Sequence, residues 1–338
     1  MIRGDELMED RTWGLVLAGG GGKGAYQVGV IKALVEQGWQ EKIVGISGSS
    51  IGSLNAVLFA QGDMEKMEAI WNAVRPENVL DVDLSSANLR QDLEEKYVVM
   101  KEFLASVSLD EYLKKAAREG ICSRAGLEDI IRYKLDLEKV RNSKRKIYAT
   151  VAYMKDNLPT AKYCLLNSKS DEEITNILLA SSALPVIYDA VEIDGISYRD
   201  GGIVDNVPCK PLLEDYIENL IVVRLKEGIV QPSAFQQGKG YQLELRPSHN
   251  LGDFLSGTIN FEHESIVYRI ALGYYDTLCT LNELALVNKG TPSKPLDYKM
   301  QMLENHNRAM DASRRNRLTE QVNEHLEMFK KYENYYET

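Results

Sequence analysis

The sequence predicts an α/β protein with a mainly parallel sheet, and three observations carry that prediction. Short apolar runs at 13–18 (WGLVLA) and 42–47 (KIVGIS) are followed by helical patterns at about 24–37 and 51–62. A helix over 208–218 leading into NLIVVRL at 219–225 repeats the alternation. Strands alternating with helices need crossover connections, which make neighbouring strands parallel and cover the sheet with helices. The 338 residues, 44% hydrophobic and 27% charged, suffice for a large globular core.

The elements follow in order. The first helix places Val28, Ile31 and Leu34 on one face. The second ends at Gly62. Residues 63–140 read as largely helical, with charged faces and no strand. Strand character returns at 145–154 and 161–167, and a helix over 171–184 stops before Pro185. VEIDGISY (191–198) is a hairpin about an Asp-Gly turn. Glycine, glutamine and proline mark 228–250 as a long loop, and 251–289 and 296–335 read as helical. The expected division is an N-terminal segment 1–12, an α/β domain 13–226 with 63–140 as a candidate cap, and 227–338. The last part is a loop and helical C-terminal extension packing on the same domain.

Charge and cysteine usage narrow the function. A net charge of −10 argues against nucleic-acid partners, and the basic cluster 141–146 is short enough to be a solvated edge. Cys122, Cys164, Cys209 and Cys279 lack C-x-x-C pairing and nearby histidines, which excludes the common zinc spacings and favours a reduced compartment. Acids in the first fourteen residues replace the apolar core a signal peptide needs, so a cytoplasmic location is expected. The least charged stretch, 43–61, is interrupted by serine and glycine and fits a buried strand-turn-helix. Neither a metal nor an organic cofactor is expected.

Three constellations carry chemistry. Gly48-Ser49-Ser50-Ile51-Gly52 is a G-x-S-x-G match between a predicted strand and helix. Such an elbow exposes its serine on a tight turn, and glycines on either side allow strand and helix to approach. The spacing singles out Ser50 and leaves Ser47, Ser49 and Ser53 as turn or capping residues.

The second constellation is the loop 19–24 (GGGGKG). A Walker loop would need Ser or Thr after Lys23, where Gly24 stands. A dinucleotide fingerprint through Gly19, Gly21 and Gly24 lacks a well-placed acid about 20 residues further on. An oxyanion hole, in which amides meet the charge developing on an attacked carbonyl, gains most from a neighbouring elbow serine.

The third is the base. His249, His263, His306 and His325 do not follow predicted strands on short loops. Asp200 lies just past the hairpin, and Gly201 and Gly202 after it let another backbone come close. An aspartate titrating near 4 serves as a base for serine once a dry pocket raises its pKa toward neutrality. Asp194 belongs to the hairpin turn, while Asp205 and Asn206 sit before Pro208 as capping or turn residues.

GGGGKG, GSSIG and DGG in this order resemble the patatin-like phospholipase family, as do GAYQVGVIKAL and ASSALPVIYDAVEIDGISYRDGG. The resemblance covers roughly 13–226. It implies a three-layer patatin-like fold, with Ser50 as nucleophile, Asp200 as base, and Gly19, Gly20, Gly21 and Gly22 as the oxyanion hole. Lys23, Gly24, Gly48, Gly52, Gly201 and Gly202 would position the substrate or these groups. The implied substrate is a phospholipid, lysophospholipid or acylglycerol, reached by transient contact with a membrane surface beneath a partly mobile apolar cap. Ser49 and Ile51 stand where members often have threonine and a small residue, so Ile51 is expected to narrow the pocket mouth. Lys23 either attracts a phosphate headgroup or pairs with an acid. The rival readings are a nucleotide-binding module and a catalytically silent or partner-activated lipid-binding protein.

Overall fold

Apolar runs rich in branched residues pair into one mixed sheet of eight strands in a computed structural model, which describes residues 11–80, 91–93, 95–96, 98, 122–156, 158–226 and 240–288. The strands are β1 (Trp13–Leu17), β2 (Ile43–Ser49), β3 (Lys146–Lys155), β4 (Leu158–Leu165), β5 (Val191–Ile193), β6 (Ile196–Asp200), β7 (Leu220–Val223) and β8 (Gln242–Leu245). Their spatial order is β5-β6-β3-β2-β1-β7-β8, with β4 also on β3. The run from β3 through β2, β1 and β7 to β8 is parallel, and β4, β5 and β6 pair antiparallel. Every residue of β1 and β7 is buried, as befits central parallel strands covered on both faces.

The helices are α1 (Ala25–Glu36), α2 (Ile51–Ala60), α3 (Met64–Ala73), α4 (Pro76–Leu80), α5 (Ala125–Lys134), α6 (Leu137–Arg141), α7 (Asp171–Ser181), α8 (Lys210–Glu214) and α9 (His263–Asn288). Helix α7 opens with a capping box between Ser170 and Glu173, which satisfies amides that the helix leaves free. Among the described residues no helix is long and apolar enough to cross a membrane. None of the four cysteines forms a disulfide among the described residues, and all but Cys279 are buried.

One detail of register positions the site. Residues 148–155 of β3 pair with β4 along one edge. The other edge pairs with β2 as far as Ser49–Thr150, and then with β6, Asp200 standing opposite Val151. Where β2 leaves β3, β6 takes its place. The residue after β2 and the last residue of β6 therefore meet at one point on β3.

Several elements differ from the sequence reading. Helix α1 was expected to bury one face, yet nearly all of it is buried. Its outer side is covered by α9, whose Gly273 packs on the Tyr26 carbonyl while Gly29 of α1 packs on that of Ile270. Residues 242–245, expected within a loop, form β8 and extend the sheet beside β7. Their short alternating pattern is too brief to register as a strand without its partner. The expected helix over 208–218 contracts to α8, and 251–262 is irregular apart from a π turn at Phe254–Thr258. The described parts of 63–140 are helical, as expected. The predicted helix 296–335, the segment 1–10 and much of 81–121 lie outside the described residues.

Candidate active site

Strand β2 runs straight into α2 with Ser50 alone at the junction. Ser50 adopts φ 53° and ψ −127°, a conformation that a side chain rarely tolerates and that the surroundings must impose. The glycines at either side show how they do so. A Cβ on Gly48 would lie 2.3 Å from the Gly52 carbonyl, and one on Gly52 would lie 2.2 Å from the carbonyl of Leu17. Strand, helix and the end of β1 touch through bare backbone.

Hydrogen bonds fix the strained turn. The Ser50 amide donates to Ser181 Oγ at 3.0 Å, and the Ser181 hydroxyl donates to the Thr150 carbonyl at 2.7 Å. Ser53 Oγ lies 2.8 Å from Ser181 Oγ and 2.9 Å from the Gly48 carbonyl. Ser181 is fully buried at the end of α7, so this support comes from an element far along the chain. Sequence spacing offered no signal for it beyond a small polar residue in a buried helix.

The Asp200 carboxylate accepts the Gly202 amide at 2.7 Å, and the Ser50 hydroxyl neighbours it closely enough to favour its ionised form. Asp200 is 3% exposed. Burial pushes its pKa up to about 6, opposed by the neighbouring Ser50 hydroxyl and the Gly202 amide, which favour the ionised form. Gly201 stacks on the Thr150 carbonyl, the same one that accepts from Ser181. The turn carrying the acid and the turn carrying the serine thus share one support on β3.

Of the glycine loop, Gly19, Gly20 and Gly21 line the cavity described below, and Gly22, Lys23 and Gly24 do not. The Gly19 amide is engaged, donating to the side-chain oxygen of Asn206 at 3.1 Å, while the Asn206 amide donates back to the Gly19 carbonyl at 3.3 Å. Among the described residues, the amides of Gly20 and Gly21 have no such partner. Asn206, read from the sequence as a capping or turn residue, instead ties the glycine loop to the turn after Asp200. Gln27 and Asn55 hold the loop's two ends, with the Gln27 amide donating to Ala18 O at 2.7 Å and that of Asn55 to Gly24 O at 3.0 Å.

Lys23 is 7% exposed beneath the turn around Gly257. Burial lowers its pKa to about 8, helped by the like charges of Lys226 and Arg269 and opposed by Asp253. Lys23 does not line the cavity, where Lys226 supplies the cation among the described lining, but it does feel the opposite charge of Asp253. Gly24 makes room for the side chain of Ile51.

The cavity has a volume of about 420 Å³. Ser50, Asp200 and Asn206 stand at one part of it, and Leu54, Leu58, Ile70, Leu127 and Ile130 form apolar walls. Ile51 lines it beside Ser50. His249 and His263 are exposed and take no part in the lining, and His306 and His325 lie outside the described residues. Among the described residues no group of three or more histidine, cysteine or acidic side chains could hold a metal ion.

A strained serine and a buried carboxylate beside a glycine turn meet a direct comparison. A family model described as patatin-like phospholipase matches residues 15–213. The chain belongs to that family. Lysophospholipase nte1 of Aspergillus terreus is 55% identical over 51 residues, 15% of this chain and 3% of the fungal protein. An uncharacterized NTE family protein of Mycobacterium bovis is 26% identical over 225 residues, 65% of this chain and 50% of that one. The chain thus spans half or less of the length of these relatives. VipD from Legionella pneumophila has a TM-score of 0.51 at 17% identity, covering 81% of this chain and 67% of its own, a likeness of fold. The patatin-like phospholipase match ends before β7, β8 and α9, so those elements need their own account.

Proposed function

We propose that this protein is a serine acyl hydrolase that cleaves fatty-acyl esters of lipids through Ser50 and Asp200. The observation that carries the reading is the meeting of a backbone-strained Ser50 and a buried Asp200 at the wall of one apolar cavity. Asp200 takes the proton as Ser50 attacks the ester carbonyl, and the protonated acid then returns it to the leaving alcohol. Water releases the fatty acid by the same route. With a pKa of about 6, Asp200 is ionised at neutral pH yet basic enough to accept a proton.

The oxyanion is assigned to the amides of Gly20 and Gly21, which line the cavity without a partner among the described residues. Gly19, whose amide Asn206 engages, and Gly22, which is away from the cavity wall, serve to shape the loop. The apolar lining suits an acyl chain, and the family supports a phospholipid, lysophospholipid or acylglycerol as its source. The substrate leaves a membrane surface to reach the cavity, and a cytoplasmic location remains part of this proposal.

Treatment with a fluorophosphonate probe followed by mass spectrometry tests the reading. The expected result is one adduct on Ser50, absent from Ser50→Ala, with turnover of a short-chain ester lost in that variant. An unlabelled wild-type protein that still binds lipid would favour a catalytically silent member instead.

A further inference from the structure

Residues 251–261 lie beyond the family match, yet they touch the glycine loop more closely than any side chain could allow. A Cβ on Gly21 would stand 2.0 Å from the Thr258 carbonyl oxygen, and one on Gly22 would stand 2.1 Å from that of Asn260. Gly21 has φ +56°, so its conformation and its neighbour both demand glycine. The consecutive glycines therefore let a distant segment press against them backbone to backbone. The same segment faces the cavity, which Phe254, Thr258, Ile259 and Phe261 help to line.

What holds this irregular segment is a single side chain. Arg269 of α9, 3% exposed, donates to three main-chain carbonyls: Asn260 at 2.8 Å, Ser256 at 2.7 Å and Leu251 at 3.2 Å. Among the described residues it makes no ion pair with a carboxylate. Burial without an anionic partner lowers its pKa to about 10, still well above neutrality, so the guanidinium remains charged. The segment is further wound into a π turn, with Thr258 and Ile259 amides donating five residues back, and is capped by Asp253 and Ser256. A guanidinium offers five donors in a rigid plane, which suits gathering several carbonyls at once.

We propose that Arg269 is a positioning residue for the glycine loop: it fixes 251–261 as a brace that sets the Gly20 and Gly21 amides and forms one wall of the acyl site. The proposal rests on the hydrolase reading above. It assigns substrate fit and oxyanion geometry partly to a region outside the family's shared core. An error of about 1 Å in such a constellation costs about a hundredfold in rate.

The test uses the full chain with Arg269→Gln, Arg269→Lys and Phe254→Ala, assayed on short- and long-chain p-nitrophenyl esters, by fluorophosphonate labelling and by thermal melting. Arg269→Gln is expected to lose about tenfold to a hundredfold in kcat on the short ester, with KM little changed and labelling slowed in step. Arg269→Lys recovers part of the loss, because an ammonium reaches some of the carbonyls. Phe254→Ala removes part of that wall and raises the ratio of long-ester to short-ester turnover. A folded Arg269→Gln protein with wild-type kcat and labelling would overturn the brace. Should that variant fail to fold, wild-type kcat in Arg269→Lys together with an unchanged chain-length profile in Phe254→Ala would overturn it instead. Absence of labelling in the wild type sinks the hydrolase reading, whereas normal labelling in all variants sinks only this inference.

Discussion

Two glycine-rich turns stand side by side at the same end of the sheet and are held in opposite ways. The elbow around Ser50 is braced mainly by its own neighbours, with Gly48 against Gly52 and Gly52 against the end of β1. The loop at 19–24 is braced from far along the chain, with Gly21 and Gly22 against Thr258 and Asn260. A turn stabilised locally leaves a fixed spacing in the sequence. One stabilised by a remote segment leaves only a run of small residues whose purpose stays hidden until the fold closes. The comparison also separates roles: the elbow imposes strain on Ser50, and the loop holds amides that have no partner among the described residues.

The largest expected effect tests whether the elbow and the acid act as a unit. Ser50→Ala should lose about 10⁴-fold or more in turnover, and Asp200→Ala about 10²–10⁴-fold. Steady-state assays on a short ester read both, and an active Asp200→Ala protein would break the pairing. In the wild type, kcat/KM should rise with pH and level off above about 6, as Asp200 ionises.

Next in size is the elbow's packing. Gly52→Ala drives a methyl group into the Leu17 carbonyl, with rigid backbone on both sides. A loss above about 4 kcal/mol is expected in urea titration. Gly38→Ala is the control, since Gly38 has φ +77° but nothing within 4 Å, so only strain of about 1 kcal/mol follows. Equal stability of the two variants would remove the close-approach argument.

Asp200→Asn gives the third effect. Between pH 4 and 6 the unfolded carboxyl is ionised while the buried one keeps its proton, so wild-type stability falls as pH rises through that window. Above it, the buried charge costs about 3 kcal/mol, which Asn avoids. The variant should therefore melt higher than wild type at pH 8 and similarly at pH 4. No gain at pH 8 would mean that the carboxylate is better solvated than its burial implies.

The smallest effect sharpens the contrast between local and distant support, because Ser181 ties the elbow to a helix far along the chain. Ser181→Ala strips partners from the Ser50 amide and the Thr150 carbonyl, worth about 2 kcal/mol of stability. A drop of about tenfold in kcat with a steady KM is expected from a loosened elbow. A lowered melting point with unchanged kcat would make Ser181 purely structural.

Much of this site was legible from spacing. Ser50 was singled out by glycines two residues away on either side, and Asp200 by a hairpin followed by two more. The alternation of apolar runs and helical patterns also gave the parallel core of the sheet. Asn206, Ser181, Gln27 and Arg269 were not legible as supports, because each acts on a partner distant in sequence and none sits in a recognisable pattern. Strand β8 and the burial of most of α1 were missed for the same reason: they depend on β7 and α9, which only the assembled fold brings near.

The exchange of neighbours along β3 has a consequence for how such proteins vary. Ser50 and Asp200 are set by adjacent rungs of one strand, Thr150 and Val151, rather than by the path connecting them. Insertions throughout the helical stretch between β2 and β3 therefore leave their separation untouched. A single residue added to β3 itself would part them.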